Sequence, residues 1–216
     1  MDTLVAEFGI ACEACHGPGR AHVEANANPL RRYQLYRGDE PDATIVEPSR
    51  LRAARSAEVC GQCHGITVTK AEYIDSENTL GAAFEPGKNL FARCILVPEG
   101  ESSFWSDGQV RVSGREYNGL VVSPCFQHGD EERTMTCLSC HQMHKQEDDP
   151  RSLEEWSVNQ TTQDGASDQA CTQCHVQYQD PARVVEHTHH GEGSTSCYDC
   201  HMPHTVYGLM KSIRTH

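Results

Sequence analysis

Cys12-Glu-Ala-Cys15-His16 opens a pattern that recurs four more times: Cys60-Gly-Gln-Cys63-His64, Cys137-Leu-Ser-Cys140-His141, Cys171-Thr-Gln-Cys174-His175 and Cys197-Tyr-Asp-Cys200-His201. Ten of the 12 cysteines fall in these C-x-x-C pairs, and a histidine follows every second cysteine at once. Two cysteines at i and i+3 share one face of a helical turn. There they can meet the two vinyl groups along one edge of a haem, while the next residue aims its imidazole at the iron. C-x-x-C-H is the attachment signature of c-type haem, and its histidine is the proximal ligand. The motifs predict five haems c, held by Cys12, Cys15, Cys60, Cys63, Cys137, Cys140, Cys171, Cys174, Cys197 and Cys200, with His16, His64, His141, His175 and His201 on the irons.

Three other readings explain less. A thioredoxin-like redox pair needs one C-x-x-C, not five. Structural zinc accepts paired C-x-x-C motifs, and a disulfide scaffold accepts many cysteines. Neither requires a histidine directly after each pair.

Eight histidines remain for the far side of the irons, where a second strong ligand makes a low-spin electron carrier and an open position makes a catalyst. His22, His128, His144, His190 and His204 are the distal candidates, with His189 or His187 in place of His190. His144 and His204 each follow a proximal histidine by three residues. They are too close to reach round their own haem and are placed to serve a neighbour. His216 is set aside as frayed. Met143 and Met202, each between two histidines, read as packing residues. All-histidine ligation would hold the potentials low.

Composition agrees with a cofactor-organised interior. Of 216 residues 37% are hydrophobic and 6% aromatic, and mean hydropathy is −0.61. A chain this polar builds a thin core, and covalent cofactors would supply the missing apolar mass. The formal charge of −13, from 31 acidic and 18 basic residues, argues against nucleic acid. It favours redox partners with basic patches. No run approaches the roughly 18 apolar residues of a membrane span. Haem attachment happens outside the cytoplasm, so a periplasmic or extracellular location is expected. The opening residues MDTLVAEFGIAC nonetheless lack the basic and apolar regions of a leader.

First-cysteine spacings are 48, 77, 34 and 26 residues, which leaves a haem-poor interval at 66–125 within a single multihaem domain spanning 1–216. Pro48-Ser49 reads as the capped start of a helix running into Cys60, and Ser152-Leu-Glu-Glu155 as a capping box. Ser167 can cap the turn that carries Cys171. Asp180-Pro181 opens a helix that would bring His187 and His190 to one face. The interval itself reads as loops with one small hairpin at 104–113, and Phe104 and Trp105 as packing residues. The expected fold is mainly short α-helices and long loops wrapped around haems, with little β-structure. Cys94 and Cys125 are left over, and outside the cytoplasm such a pair is expected to form a disulfide.

The segments GIACEACHGPGRAHVEA, EVCGQCHG, MTCLSCHQMH and CYDCHMPHTVYGL resemble a family of bacterial multihaem c-type cytochromes. That family is related to the tetrahaem cytochrome of hydroxylamine oxidation and to pentahaem nitrite reductase. The resemblance implies closely stacked haem pairs in a helical, loop-rich wrapping. Such proteins usually carry further motifs before Glu-Ala-Cys-His-Gly-Pro-Gly, so this chain is expected to be the C-terminal part of a longer multihaem protein. The nitrite reductases have a C-x-x-C-K motif, which this sequence lacks. Electron transfer is therefore the leading function, with an electron carrier favoured over an enzyme. The alternatives are a protomer of an extracellular cytochrome filament, self-associated into a haem chain, and an oxidoreductase acting on a small nitrogen or sulfur oxyanion.

Overall fold

The computed structural model describes residues 9–73, 84–100, 102–112, 114–130, 133–162, 165, 167–206 and 212–216. The opening residues 1–8, most of the stretch judged above for a leader, lie outside them, as does Ser113 at the end of the expected hairpin. The chain divides into two compact units, Met1–Val97 and Pro98–His216.

The first unit begins with three short helices, α1 (Cys12–His16), α2 (Arg20–Ala25) and α3 (Pro29–Arg37). Asn28 caps α3 by accepting from the Leu30 amide at 2.9 Å, with Pro29 at the first helical position. The helix expected from Pro48 starts later. Pro48–Arg50 forms a 3-10 turn, Leu51 is extended, and α4 runs from Ala53 to His64. Ser49 does not cap it; its hydroxyl donates to Glu47 at 3.2 Å. Two strands, β1 (Thr67–Thr69) and β2 (Cys94–Leu96), pair antiparallel with Val68 opposite Ile95. The thin core lies between α4 and this ladder: Ala57, Val59, Leu90 and Cys94 are buried. Glu58 is buried with them at 4% exposure. Its carboxylate pairs with Arg55 and accepts from the Leu90 amide at 2.9 Å, so a buried charge is both neutralised and hydrogen-bonded.

The second unit opens on a tight turn at Asp107-Gly108, closed by a single antiparallel bridge between Phe104 and Val110. This is the expected hairpin in its smallest form. Trp105 is half-buried beneath the Arg111 guanidinium, 4.7 Å from the ring centroid, a cation–π arrangement. Helices α5 (Tyr117–Val122), α6 (Pro124–Gln127), α7 (Leu153–Asn159), α8 (Gln169–Thr172), α9 (Pro181–Thr188) and α10 (Cys197–His201) follow. The Ser152–Glu155 capping box is formed as expected. Ser167 Oγ accepts from Gln169 N at 3.3 Å at the start of α8, and Asp180 caps α9 through the Ala182 amide. A second ladder, β3 (His204–Val206) with β4 (Ser212–Arg214), closes the unit. Its buried apolar side chains are Tyr117, Leu120 and Trp156.

The architecture is mainly short helices and loops, as the helix signals and the family resemblance implied. Two features of it were not anticipated. The interval read as loops contributes both strands of the β1–β2 ladder as well as α5, and β1 and β2 pair across residues far apart in sequence.

Cys94 and Cys125 are not joined. Both are free thiols, Cys94 buried and Cys125 exposed. Cys94 sits on β2 with its thiol donating to the Leu90 carbonyl at 3.3 Å, so the core of its own unit engages it.

Candidate haem-binding sites

Each C-x-x-C-H motif is folded as a tight turn, the local shape its chemistry needs. The first and fifth are helices in their own right, α1 and α10, and the second is the last turn of α4. The third is a 3-10 turn in which the His141 amide donates to Cys137 O at 2.8 Å. In the fourth, His175 N donates to Cys171 O at 3.0 Å. Short polar residues start these turns. Ser139 Oγ accepts from Thr136 N at 3.0 Å, and Ser196 and Asp199 form a capping box around α10. Gly17, at φ 76°, reverses the chain directly after His16, a conformation that costs a residue with a Cβ.

The motifs gather in two groups. In the first unit, Gln62 Nε2 donates to Ala14 O at 2.8 Å and ties the second motif to the first. The Cys15 thiol is pushed up from its ordinary pKa by burial and by its neighbours Cys60, Cys63 and Cys12. In the second unit, Asp168 Oδ1 accepts from Ser196 Oγ at 2.5 Å and from Cys197 N at 3.0 Å. That bond fastens the turn before Cys171 to the fifth motif. Cys171 and Cys197 lie close enough there for each to raise or lower the other's thiol pKa. Burial, Asp168 and Cys171 push the Cys197 thiol up to about 11. Thiols held protonated in this way are poor ligands for a cation.

The third motif has its own support. An antiparallel bridge joins His141 to Thr161, with Gln142 N donating to Gln160 O at 2.7 Å and Thr162 N to Cys140 O at 2.8 Å. Arg151 holds this segment in place, with Nη2 2.6 Å from Thr161 O and 2.6 Å from Asp149 Oδ2. Hydrogen bonds from Arg151 hold the Asp149 carboxyl down at about 2, against burial.

The imidazoles show how the proximal residues are aimed. His16 Nδ1 lies 2.8 Å from Val46 O, and His141 Nδ1 lies 2.9 Å from Asn159 O. A carbonyl only accepts, so in each ring Nδ1 carries the proton and Nε2 is the nitrogen that holds the ring's lone pair. This is the tautomer that outer-shell partners of metal-bound histidines select. His22 Nδ1 similarly meets Asp42 Oδ2 at 3.1 Å. Hydrogen bonds from Thr44, then Asn26 and Arg31, hold that carboxylate well below the usual range.

Two pairs of imidazole rings lie close together with near-parallel planes. His187 and His201 have centroids 6.0 Å apart with 8° between planes, and His141 and His216 are 6.1 Å apart at 26°. An iron bonded to two imidazole nitrogens at about 2 Å each would set the ring centroids about 6 Å apart. Each pair joins a proximal histidine to one outside the motifs. Among the described residues no group of three or more His, Cys, Asp or Glu side chains is arranged to hold a metal ion.

These pairs bear on the distal candidates. The sequence reading takes His190, with His189 or His187 in its place, and a continuous helix would bring His187 and His190 to one face. Helix α9 ends at Thr188 and His189 turns left-handed at φ 59°, so His190 leaves the helix. His187 is the residue brought to His201. His216 is not frayed: Thr215 N donates to Pro203 O at 3.0 Å. The ladder that seats it left no short-range signal in the sequence. His128 is exposed at the end of α6, His144 and His190 are exposed in loops, and His204 is exposed on β3 opposite Arg214.

The residues present fit haem: each motif is a turn that brings two cysteines and a histidine together. Among the described residues no helix is long and apolar enough to cross a membrane.

No family model and no solved structure matches the chain. It is similar to the multiheme cytochrome MtrA of Shewanella baltica, at 27% identity over 182 residues, 83% of this chain and 46% of that protein. The chain thus spans about half the length of the curated relative it matches.

Proposed function

We propose that the chain is an electron-transfer module of a multihaem c-type cytochrome, carrying five haems c, mostly bis-histidine and low-spin, in the periplasm or outside the cell. The observation that carries this reading is the set of five C-x-x-C-H motifs, all folded as attachment turns. The paired imidazoles, the Nδ1 partners of His16 and His141 and the similarity to a multiheme cytochrome support it. The finer kinship, to the tetrahaem cytochrome of hydroxylamine oxidation and pentahaem nitrite reductase, rests on the Cys-Glu-Ala-Cys-His-Gly-Pro-Gly and Cys-His-Met-Pro-His strings.

When bound, the haems supply one-electron carriers whose irons alternate between ferric and ferrous. The chain's own residues decide how many there are, where they sit and how they are tuned. Ten cysteines fix the edges and five proximal histidines fix the irons. Two motifs lie in the first unit and three in the second, at about 43 residues per haem, a density that keeps neighbours close. The carbonyls of Val46 and Asn159 make His16 and His141 more basic, which favours the higher charge on a bound metal. A charge of −13 directs the surface towards partners with basic patches and makes association weaken with salt.

Haem quantitation on the exported protein, with intact mass and a reduced-minus-oxidised spectrum, tests the reading. Five covalent haems per chain with predominantly low-spin bands are expected. Thiols that bind zinc in place of haem, or fewer than five haems on a fully processed chain, would overturn it.

A further inference from the structure

We infer that His216 is the second axial ligand of the haem iron whose proximal ligand is His141. The inference rests on the haem reading above and adds a ligand that motif spacing does not reveal. It makes one site from residues 75 positions apart.

The first support is the spacing of the two rings. Their centroids are 6.1 Å apart and their planes 26° apart. The separation lies within the range of ring pairs in general, about 4.5–7 Å between centroids, at the value a shared metal would also set. It matches one metal atom with a nitrogen on each side. The separation repeats at His187 and His201, 6.0 Å, where the partner is likewise a proximal histidine. His141 is already oriented for the role, because its Nδ1 is engaged by Asn159 O at 2.9 Å and its Nε2 lone pair points the other way round the ring.

The second support is the seat beneath His216, which is built from three directions. The β3–β4 ladder pairs His204 with Arg214, and Thr215 N continues it to Pro203 O at 3.0 Å. Arg214 Nη1 donates to Tyr198 O at 3.0 Å and Met202 O at 3.2 Å, and its guanidinium lies 5.4 Å from the centre of the Tyr198 ring. Gly119 on α5 supplies the third contact. A Cβ added there would stand 2.1 Å from His216 O and 3.1 Å from its carbonyl carbon. The His216 backbone therefore rests on a bare α-carbon, an approach that any larger residue would block. Packing this close fixes the His216 backbone from which the imidazole projects.

One consequence is a link between two sites. Residues 201–216 carry the proximal ligand of the fifth motif at one end and the second ligand of the third at the other. A second consequence concerns assembly: His216 is engaged by its own chain, so it is not a ligand held out to another subunit.

The test uses the haem-loaded protein and reads spin state and haem count together. In His216→Ala with five haems retained, one haem in five should become high-spin in the ferric state. Added imidazole should return it to low-spin. His216→Met should remain six-coordinate and raise the potential of one haem, as methionine ligation does. Gly119→Val leaves every histidine in place and should give the same high-spin fifth by displacing the His216 backbone. A His216→Ala protein with five haems, all low-spin, would overturn the assignment while the five-haem reading stands. A wild-type protein without covalent haem would overturn both, and the haem count tells the two failures apart.

Discussion

The imidazoles of His187 and His201 stand 6.0 Å apart with only 8° between their planes, although one ends a helix and the other ends a C-x-x-C-H turn. Helix α9 and the left-handed residue His189 that stops it determine which histidine of the His187-Thr-His189-His190 cluster arrives there. His187→Ala should therefore make one haem in five high-spin, and His190→Ala should leave the spectrum unchanged. Electron paramagnetic resonance of the two ferric variants checks this. The reverse pattern would return the ligand to His190.

Asp149 gives a pH dependence with a definite sign. Its carboxyl is held at about 2, below the ordinary 3.8, chiefly by hydrogen bonds from Arg151. A group whose folded pKa is depressed adds stability that is fully present above its unfolded pKa and is lost as pH falls through the folded one. The advantage of the wild type over Asp149→Asn should be constant above about pH 5 and shrink between about pH 4 and pH 2. Thermal unfolding of both proteins across that range measures it. A difference that persists unchanged at pH 2 would contradict the role given to this pair.

Glu58 should matter to the first unit out of proportion to its size. Its carboxylate accepts the buried Leu90 amide at 2.9 Å, so Glu58→Ala strands a donor and removes the partner of Arg55. Leaving a buried donor unsatisfied costs about 1–3 kcal/mol. Amide exchange at Leu90 should accelerate accordingly, by about tenfold to a hundredfold where exchange follows local opening. Glu58→Gln, which can still accept through its amide oxygen, should recover part of the protection.

The two cysteines outside the motifs should behave differently from one another and from a disulfide. Cys125 is exposed and Cys94 is buried, with burial also pushing the Cys94 thiol up in pKa. Alkylation of the native protein should mark Cys125 alone, and Cys94 should react only after denaturation, without reductant. Resistance of both until a reductant is added would show a bridge instead.

How much of this was legible beforehand depends on the range of each interaction. The attachment cysteines and proximal histidines are set within five consecutive residues, so their roles can be read directly from spacing. The capping box at Ser152 and Glu155 and the Asp180-Pro181 helix start are equally local, and the structure contains both. The true start of α4 is a smaller miss, because Leu51 adopts an extended conformation that breaks the run from Pro48.

The second ligands are a different matter. A distal imidazole needs only to arrive opposite an iron, whatever its distance along the chain. His187 precedes His201 by 14 residues, while His216 follows His141 by 75. What places them is the end of α9, the β3–β4 ladder and the open α-carbon of Gly119, none of which leaves a short-range trace. The sequence by itself determined the kind of cofactor chemistry to expect and the ten cysteines proposed to anchor it, because those are properties of a single turn. Only the tertiary structure decided which histidines face the proximal ones, because that is a matter of where separate segments of backbone come to rest.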